Sequence, residues 1–190
     1  MIYLDTNILV SLLAGDGSTV AAEEWTAAQS VPLGVSTWVA AEFYSHIGLR
    51  CRKQELTPRQ AAAYMDKFDE KVSANLTLLK SSDAAILRAS SWLRVADCSL
   101  QAPDALHLAI ALENEVAAIA TFDQRFARGI EKLRIAGLKV IALPMAGAGH
   151  KIQQTLADYN VTERDIAKAV KWARKRKLAE RERAGRLTVR

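Results

Sequence analysis

Short apolar runs of strand length, separated by stretches of helical periodicity, leave this chain few ways to fold. Met1–Leu4, Leu33–Ser36, Asn75–Leu79, Val116–Ala120 and Lys139–Leu143 each have the length and character of a strand. Between the first two, Ile8, Leu9, Leu12 and Leu13 recur at helical spacing up to the breaker Gly15-Asp16-Gly17. Ser18 or Thr19 then caps a helix to about Gln29. A long helix is expected from about Trp38 to Lys53, and Thr57-Pro58 opens the next, with proline where its missing N–H is harmless. Ser81 or Ser82 caps a helix to about Val95, Pro103 opens another, and a short helix follows Asp123. Strands alternating with helices predict an α/β fold around a mainly parallel sheet of about five strands. In such sheets functional residues gather just past the carboxyl ends of the strands, where Asp5 and Asp123 stand.

The 190 residues suffice for one well-buried domain and an appendage. The last strand ends near Leu143, so we place the domain at 1–145 and a linker with a basic helical tail at 146–190. Met145–His150, MAGAGH, has linker composition. Charge divides at the same place. The chain holds 26 Lys/Arg and 21 Asp/Glu; residues 151–190 take 12 and 5 of these, leaving 14 and 16 for the body. The body is therefore −2 and the tail +7. Cys51 and Cys98 lie far apart with no CxxC, so we expect reduced thiols and neither a zinc site nor a disulfide. No apolar stretch is long enough for a bilayer, and the N-terminal run, interrupted by Asp5 and Asn7, does not read as a signal peptide. A cytoplasmic location is the expectation.

Four acids stand in contexts that suit metal chemistry. Asp5 ends the first strand, Glu42 falls in the first turn of the following long helix, Asp104 is near a helix start, and Asp123 follows the fourth strand. A divalent ion such as Mg2+ or Mn2+ takes hard carboxylate and water oxygens, and several segments must supply them because one loop cannot surround an ion. Each acid has a plainer explanation as well. Asp5 suits a helix cap, Asp104 a helix dipole, Glu42 a solvated face and Asp123 a turn. Glu42 is flanked by Ala40, Ala41 and Phe43, which favours burial over solvation. His107 lies one helical step from Asp104, where a histidine is usually structural, and Asp83 and Asp97 read as surface or cap acids.

LDTNIL around Asp5, AAEF around Glu42, PDALHLAIA around Asp104 and ATFDQRF around Asp123 resemble, in order, the four acidic motifs of PIN domains. The likeness is nearest to the VapC toxins of bacterial toxin–antitoxin pairs and runs from residue 1 to about 144. It implies a Rossmann-like sheet with helices on both faces and an acidic pocket holding Mg2+ or Mn2+. The activity implied is that of a metal-dependent endoribonuclease acting on tRNA or ribosomal RNA. By motif position Asp5, Glu42, Asp104 and Asp123 are the catalytic metal-site acids. Asn7 and Thr121 orient ligands or water behind them, and Thr6 shapes the turn. An antitoxin partner and a homodimer are implied too. Two alternatives stand beside this: a PIN-like module that binds RNA or a partner without catalysis, and an RNA-processing nuclease with no antitoxin.

The resemblance stops before the tail. Thr162 is a good N-cap, with Asp165 in the capping-box position, and Ile166, Ala169, Val170 and Ala173 share one face of the helix they open. Arg174, Lys175, Arg176 and Lys177 form a dense basic run, with Trp172 at hand for base stacking. Such a helix is a solvated basic face, a hand-hold for the RNA backbone, or a substitute for an antitoxin segment lying over the acids of its own or a neighbouring protomer. Deleting residues 146–190 separates the active possibilities. RNA binding, measured by fluorescence anisotropy, falls if the tail captures substrate. Cleavage rate rises instead if the tail blocks the pocket.

Overall fold

The computed structural model describes residues 1–95 and 99–144. Its elements run β1 (Ile2–Leu4), α1 (Thr6–Ala14), α2 (Thr19–Ala27), β2 (Leu33–Ser36), α3 (Thr37–Arg52), α4 (Pro58–Asn75) and β3 (Thr77–Leu79). There follow α5 (Asp83–Leu93), α6 (Ala102–Glu113), β4 (Ala118–Thr121), α7 (Gln124–Leu133) and β5 (Lys139–Ala142). The five strands form one sheet in the order β3-β2-β1-β4-β5. Every pairing is parallel, with Ile2 opposite both Leu33 and Ala118. This is the expected α/β architecture.

The strand order places β1 at the centre and makes it the switch point. From β1 the chain winds outward to β2 and β3 on one side, then returns to β4 and β5 on the other. Helices connecting outward and returning strands diverge at that point, which opens a crevice above the carboxyl ends of β1 and β4. All three residues of β1 are buried, as a central strand covered on both faces requires. Gly34 serves a packing need in β2: a Cβ there would stand 2.7 Å from Met1 Sδ and 3.3 Å from the Thr77 carbonyl oxygen.

Several element ends differ from expectation, each for a local reason. The helix expected from Trp38 starts at Thr37, where the Ser36 side chain caps it by accepting from the Val39 N–H at 3.2 Å. The third strand begins at Thr77 because α4, opened by a Thr57–Gln60 capping box, runs on through Asn75. The helix expected to open at Pro103 opens at Ala102, with Gln101 and Asp104 forming the box at its start. Residues 96–98 and 145–190 lie outside the described residues. That range includes Asp97, Cys98, the linker, and the basic run Arg174, Lys175, Arg176 and Lys177. Among the described residues, no helix is long and apolar enough to cross a membrane.

The phase of α3 about its own axis decides where Glu42 points, and aromatic packing sets that phase. Phe43 is buried against Phe68 of α4, their rings stacked at 4.6 Å, while Tyr44 meets the edge of Phe68 at 5.5 Å. With Phe43 turned inward, Glu42 is turned toward the crevice. Phe68→Ala should lower the unfolding free energy by about 3–5 kcal/mol, the usual range for a fully buried phenylalanine. Urea denaturation followed by circular dichroism measures it, and a loss below about 1 kcal/mol would show that α3 is fixed by other contacts.

Candidate metal centre

Asp5 leaves the end of β1 with its N–H bonded to the Ala120 carbonyl at 3.0 Å, so the β1–β4 ladder carries it to the lip of the crevice. It occupies the N-cap position of α1, yet its side chain makes no capping bond. Instead Oδ2 accepts from Asn7 Nδ2 at 2.6 Å and from the Thr121 hydroxyl at 2.5 Å. The simple helix-cap explanation for Asp5 therefore fails. Thr121 Oγ1 donates to Asp5 and accepts from Asn7 Nδ2 at 2.9 Å and the Asp123 N–H at 2.9 Å, which uses its whole capacity. Asn7 Oδ1 accepts the Phe122 N–H at 3.1 Å. Asn7 and Thr121 thus fix one oxygen of Asp5 and leave the other facing the crevice.

Glu42 is the sixth residue of α3 and so falls in its second turn, not the first. Its Oε2 accepts from the Thr6 hydroxyl and stands 2.7 Å from His107 Nε2. Thr6, expected only to shape the turn, therefore holds Glu42. His107 is 2 % exposed, and its Nε2 also lies 3.5 Å from Asp5 Oδ1. On the other side of the ring, Nδ1 meets the Tyr3 hydroxyl at 2.8 Å, and Tyr3 meets Ser36 Oγ at 2.7 Å. A buried relay Ser36–Tyr3–His107 thus stands behind Glu42 and Asp5. Sequence reasoning missed Tyr3 and Ser36, which look like ordinary strand residues, and it read His107 as a helix-face residue. The signal for His107 was its place one turn after Asp104 on an otherwise apolar helix.

One ligand atom from each of Asp5, Glu42 and His107 lies within 4.8 Å of the others. Asp104 and Asp123 stand outside this tight group but line the same cleft of about 750 Å³. Asp104 Oδ2 accepts the Gln101 N–H at 3.4 Å and lies 3.9 Å from Arg125 Nη2. Asp123 is the N-cap of α7: Oδ1 accepts from the N–H groups of Arg125 at 2.7 Å and Phe126 at 3.1 Å. Its turn role is real, and it coexists with a place in the cleft.

The electrostatics are those of crowded, partly desolvated anions. Burial pushes the Asp5 carboxyl above its ordinary value, with Glu42 adding repulsion and His107 and Thr121 opposing it. Burial also raises Asp104, and the charges of Asp123 and Asp5 push the same way. Glu42 behaves differently. Burial would raise it, but the hydrogen bond and charge of His107, together with Thr6, hold it below the usual carboxylate range. His107 in turn is raised by Glu42, Asp5 and Asp104 against the effect of its burial. The donors gathered here fit a hard divalent cation, which takes carboxylate oxygen and would relieve the repulsion.

A family model described as the PIN domain matches residues 2–131. No curated protein matches the chain. Among solved structures, VapC20 of Mycobacterium tuberculosis, described as a sarcin-ricin loop cleaving toxin, is 22 % identical, with a TM-score of 0.55. That likeness covers 67 % of this chain and 94 % of the other. A toxin–antitoxin complex from Klebsiella pneumoniae is 21 % identical over 73 % of this chain and 95 % of that one, with a TM-score of 0.50. VapBC2 from Rickettsia felis, bound to a DNA fragment from its promoter, is 20 % identical over 75 % and 98 %, with a TM-score of 0.51. At these identities the likeness shows a common fold.

The Glu42–His107 pair gives the metal-free protein a defined pH response. Glu42 is lowered in the folded state, so its contribution is present above its ordinary 4.5 and lost as pH falls through the folded value. His107 is raised, so its contribution is present below 6.5 and lost as pH rises through the folded value. Asp5, also raised, adds a loss that begins above its ordinary 3.8 and is complete once pH has risen through its folded value. In EDTA the melting temperature should therefore decline as pH rises beyond 6.5, and His107→Gln should shrink that decline. Scanning calorimetry across the pH series checks this, and identical profiles for the two proteins would contradict it.

Proposed function

We propose that this chain, which belongs to the PIN domain family, is a metal-dependent endoribonuclease of the VapC toxin type. The observation that carries this reading is the convergence of Asp5, Glu42, Asp104 and Asp123, from four separate segments, on one cleft at the switch point of the sheet. Structural elements alone have no use for so many carboxylates at one lip, and two of them are held above their ordinary pKa values by burial and mutual charge. The four acids are the proposed metal-site residues, with Asp5 and Glu42 the innermost. Mg2+ or Mn2+ suits this oxygen-rich set.

The protein's own contribution begins with placement. Asn7 and Thr121 hold Oδ2 of Asp5, so its other oxygen faces the cleft. Thr6 and His107 hold Oε2 of Glu42 in the same way. When bound, a divalent ion supplies charge stabilisation for phosphoryl oxygens and an activated water for attack on phosphorus. Asp104 and Asp123, which line the same cleft, would complete the oxygen ligands around a bound cation, whose charge would admit an RNA strand. The likeness to VapC20, described as a sarcin-ricin loop cleaving toxin, supports structured RNA as the substrate class. The toxin–antitoxin complexes of the same fold support an antitoxin partner and a toxin role, and a homodimer in the cytoplasm accords with that role. The basic tail, residues 146–190, is proposed to bind RNA or to occupy the cleft.

Total RNA incubated with the protein should be cut in Mn2+ or Mg2+ and left intact in EDTA. Asp5→Asn should lower the rate at least about 100-fold, since it removes the innermost charged ligand. Because folding raises the Asp5 carboxyl, its charged form is unfavourable in the metal-free protein at neutral pH, and the same variant should melt higher than wild type in EDTA. Undiminished cleavage in EDTA, or full activity of the variant, would overturn the reading.

A further inference from the structure

Among the described residues lining the cleft, Arg125 is the one lysine or arginine, and nothing in the scaffold requires it there. It falls in the first turn of α7, where the helix dipole disfavours a cation. Its side chain is 53 % exposed, and its contact with Asp104 Oδ2 at 3.9 Å is at the outer limit of an ion pair. A solvent-screened pair of that length contributes little to stability. The root of the side chain, by contrast, is firmly held. Asp123 Oδ1 accepts the Arg125 N–H at 2.7 Å, and Gln124 Nε2 donates to the Leu143 carbonyl at 2.9 Å, tying the start of α7 to the end of β5. An anchored base therefore carries a loosely held guanidinium over an acidic cleft.

Charge arithmetic shows what such a group is for. The cleft is lined by Asp5, Asp16, Glu42, Asp104 and Asp123. A single divalent ion offsets two of those charges and His107 is already engaged with Glu42 and Asp5, while each phosphodiester entering the cleft adds another negative charge. His46, which also lines the cleft, is held below its usual value by burial and by Arg50, so it offers little positive charge at neutral pH. A permanently charged planar fork matches a phosphate's non-bridging oxygens in a way a metal-bound carboxylate cannot.

Resting on the nuclease reading above, we propose that Arg125 is the phosphate-binding residue of the cleft, leaving Asp104 to the metal and engaging the RNA backbone at the bond to be cut. Asp104 holds Arg125 only while no cation competes for its carboxylate. Metal loading and substrate capture are thereby linked through one oxygen pair. The contact is with phosphate, so it adds affinity and transition-state charge without reading base sequence.

The test compares wild type, Arg125→Ala and Arg125→Lys. It measures cleavage of a stem-loop oligoribonucleotide containing a site cut in total RNA, in saturating Mn2+, binding of the same RNA at several salt concentrations in the cleavage-impaired Asp5→Asn background, and Mn2+ affinity by calorimetric titration. Arg125→Ala should lose about 100-fold or more in kcat/KM. Its salt slope for binding should drop by about 1, the loss of one phosphate contact. Mn2+ should bind the variant at least as tightly as wild type, and Arg125→Lys should fall between the two. Unchanged cleavage and salt slope in Arg125→Ala, with wild type active, would overturn the role of Arg125 alone. A matching loss of Mn2+ affinity would also overturn it, because Arg125 would then act only by positioning Asp104. Wild type that neither cleaves nor binds would overturn the nuclease reading and this assignment with it.

Discussion

Mutual repulsion among carboxylates brought to one crevice is the constraint around which the rest of this structure is arranged. Unpaired, buried carboxylates would take up protons or pull the crevice open. Here each inner acid has one oxygen tied down by neutral or cationic donors. Thr121 and Asn7 serve Asp5, while Thr6 and His107 serve Glu42. The donors come from α1, α6 and the end of β4, so the elements surrounding the crevice are held together by the very charges that would separate them.

The fold supplies the location and the packing supplies the aim. A parallel sheet with its switch at β1 leaves an opening above β1 and β4, and Asp5 and Thr121 emerge on either side of it. Glu42 arrives from a helix whose rotation is set well away from the crevice, by Phe43 on Phe68. Asp104 arrives through the capping box at the start of α6, and Asp123 through the cap of α7. In both outer acids one carboxylate performs a helix-start duty while belonging to the cleft. That economy explains why neither is drawn into the tight group formed by Asp5, Glu42 and His107.

What was legible in the sequence and what was not follow from the range of the interactions. Strand runs, caps and breakers act over a few residues, so the order of elements, the Thr57 and Ser82 caps and the positions of Asp5, Asp104 and Asp123 at element ends can be read directly. The Asn7–Asp5 contact is equally local. The relay from Ser36 through Tyr3 to His107 joins residues 33 and 104 positions apart, and no spacing rule announces it. Tyr3 looks like any buried strand aromatic until its hydroxyl is seen to have two partners. Glu42 falls in the second turn of α3 because the Ser36 cap starts that helix at Thr37, and the role of Thr6 is hidden because its acceptor lies 36 residues away. Asp5 was equally open to a capping role, which only the observed hydrogen bonds exclude.

The same relay has a consequence for how the protein comes into being. Asp5 and Glu42 leave the ribosome early, but His107 is made 65 residues after Glu42 and Thr121 is made 116 residues after Asp5. Until α6 and β4 have been synthesised and docked, the early acids have only their local donors, Asn7 and Thr6, and lack His107 and Thr121. A nascent or truncated chain therefore lacks the assembled group of Asp5, Glu42 and His107, which forms only once the later elements are in place. For a molecule whose proposed substrate includes the RNA of the machine that makes it, that late assembly is a built-in delay.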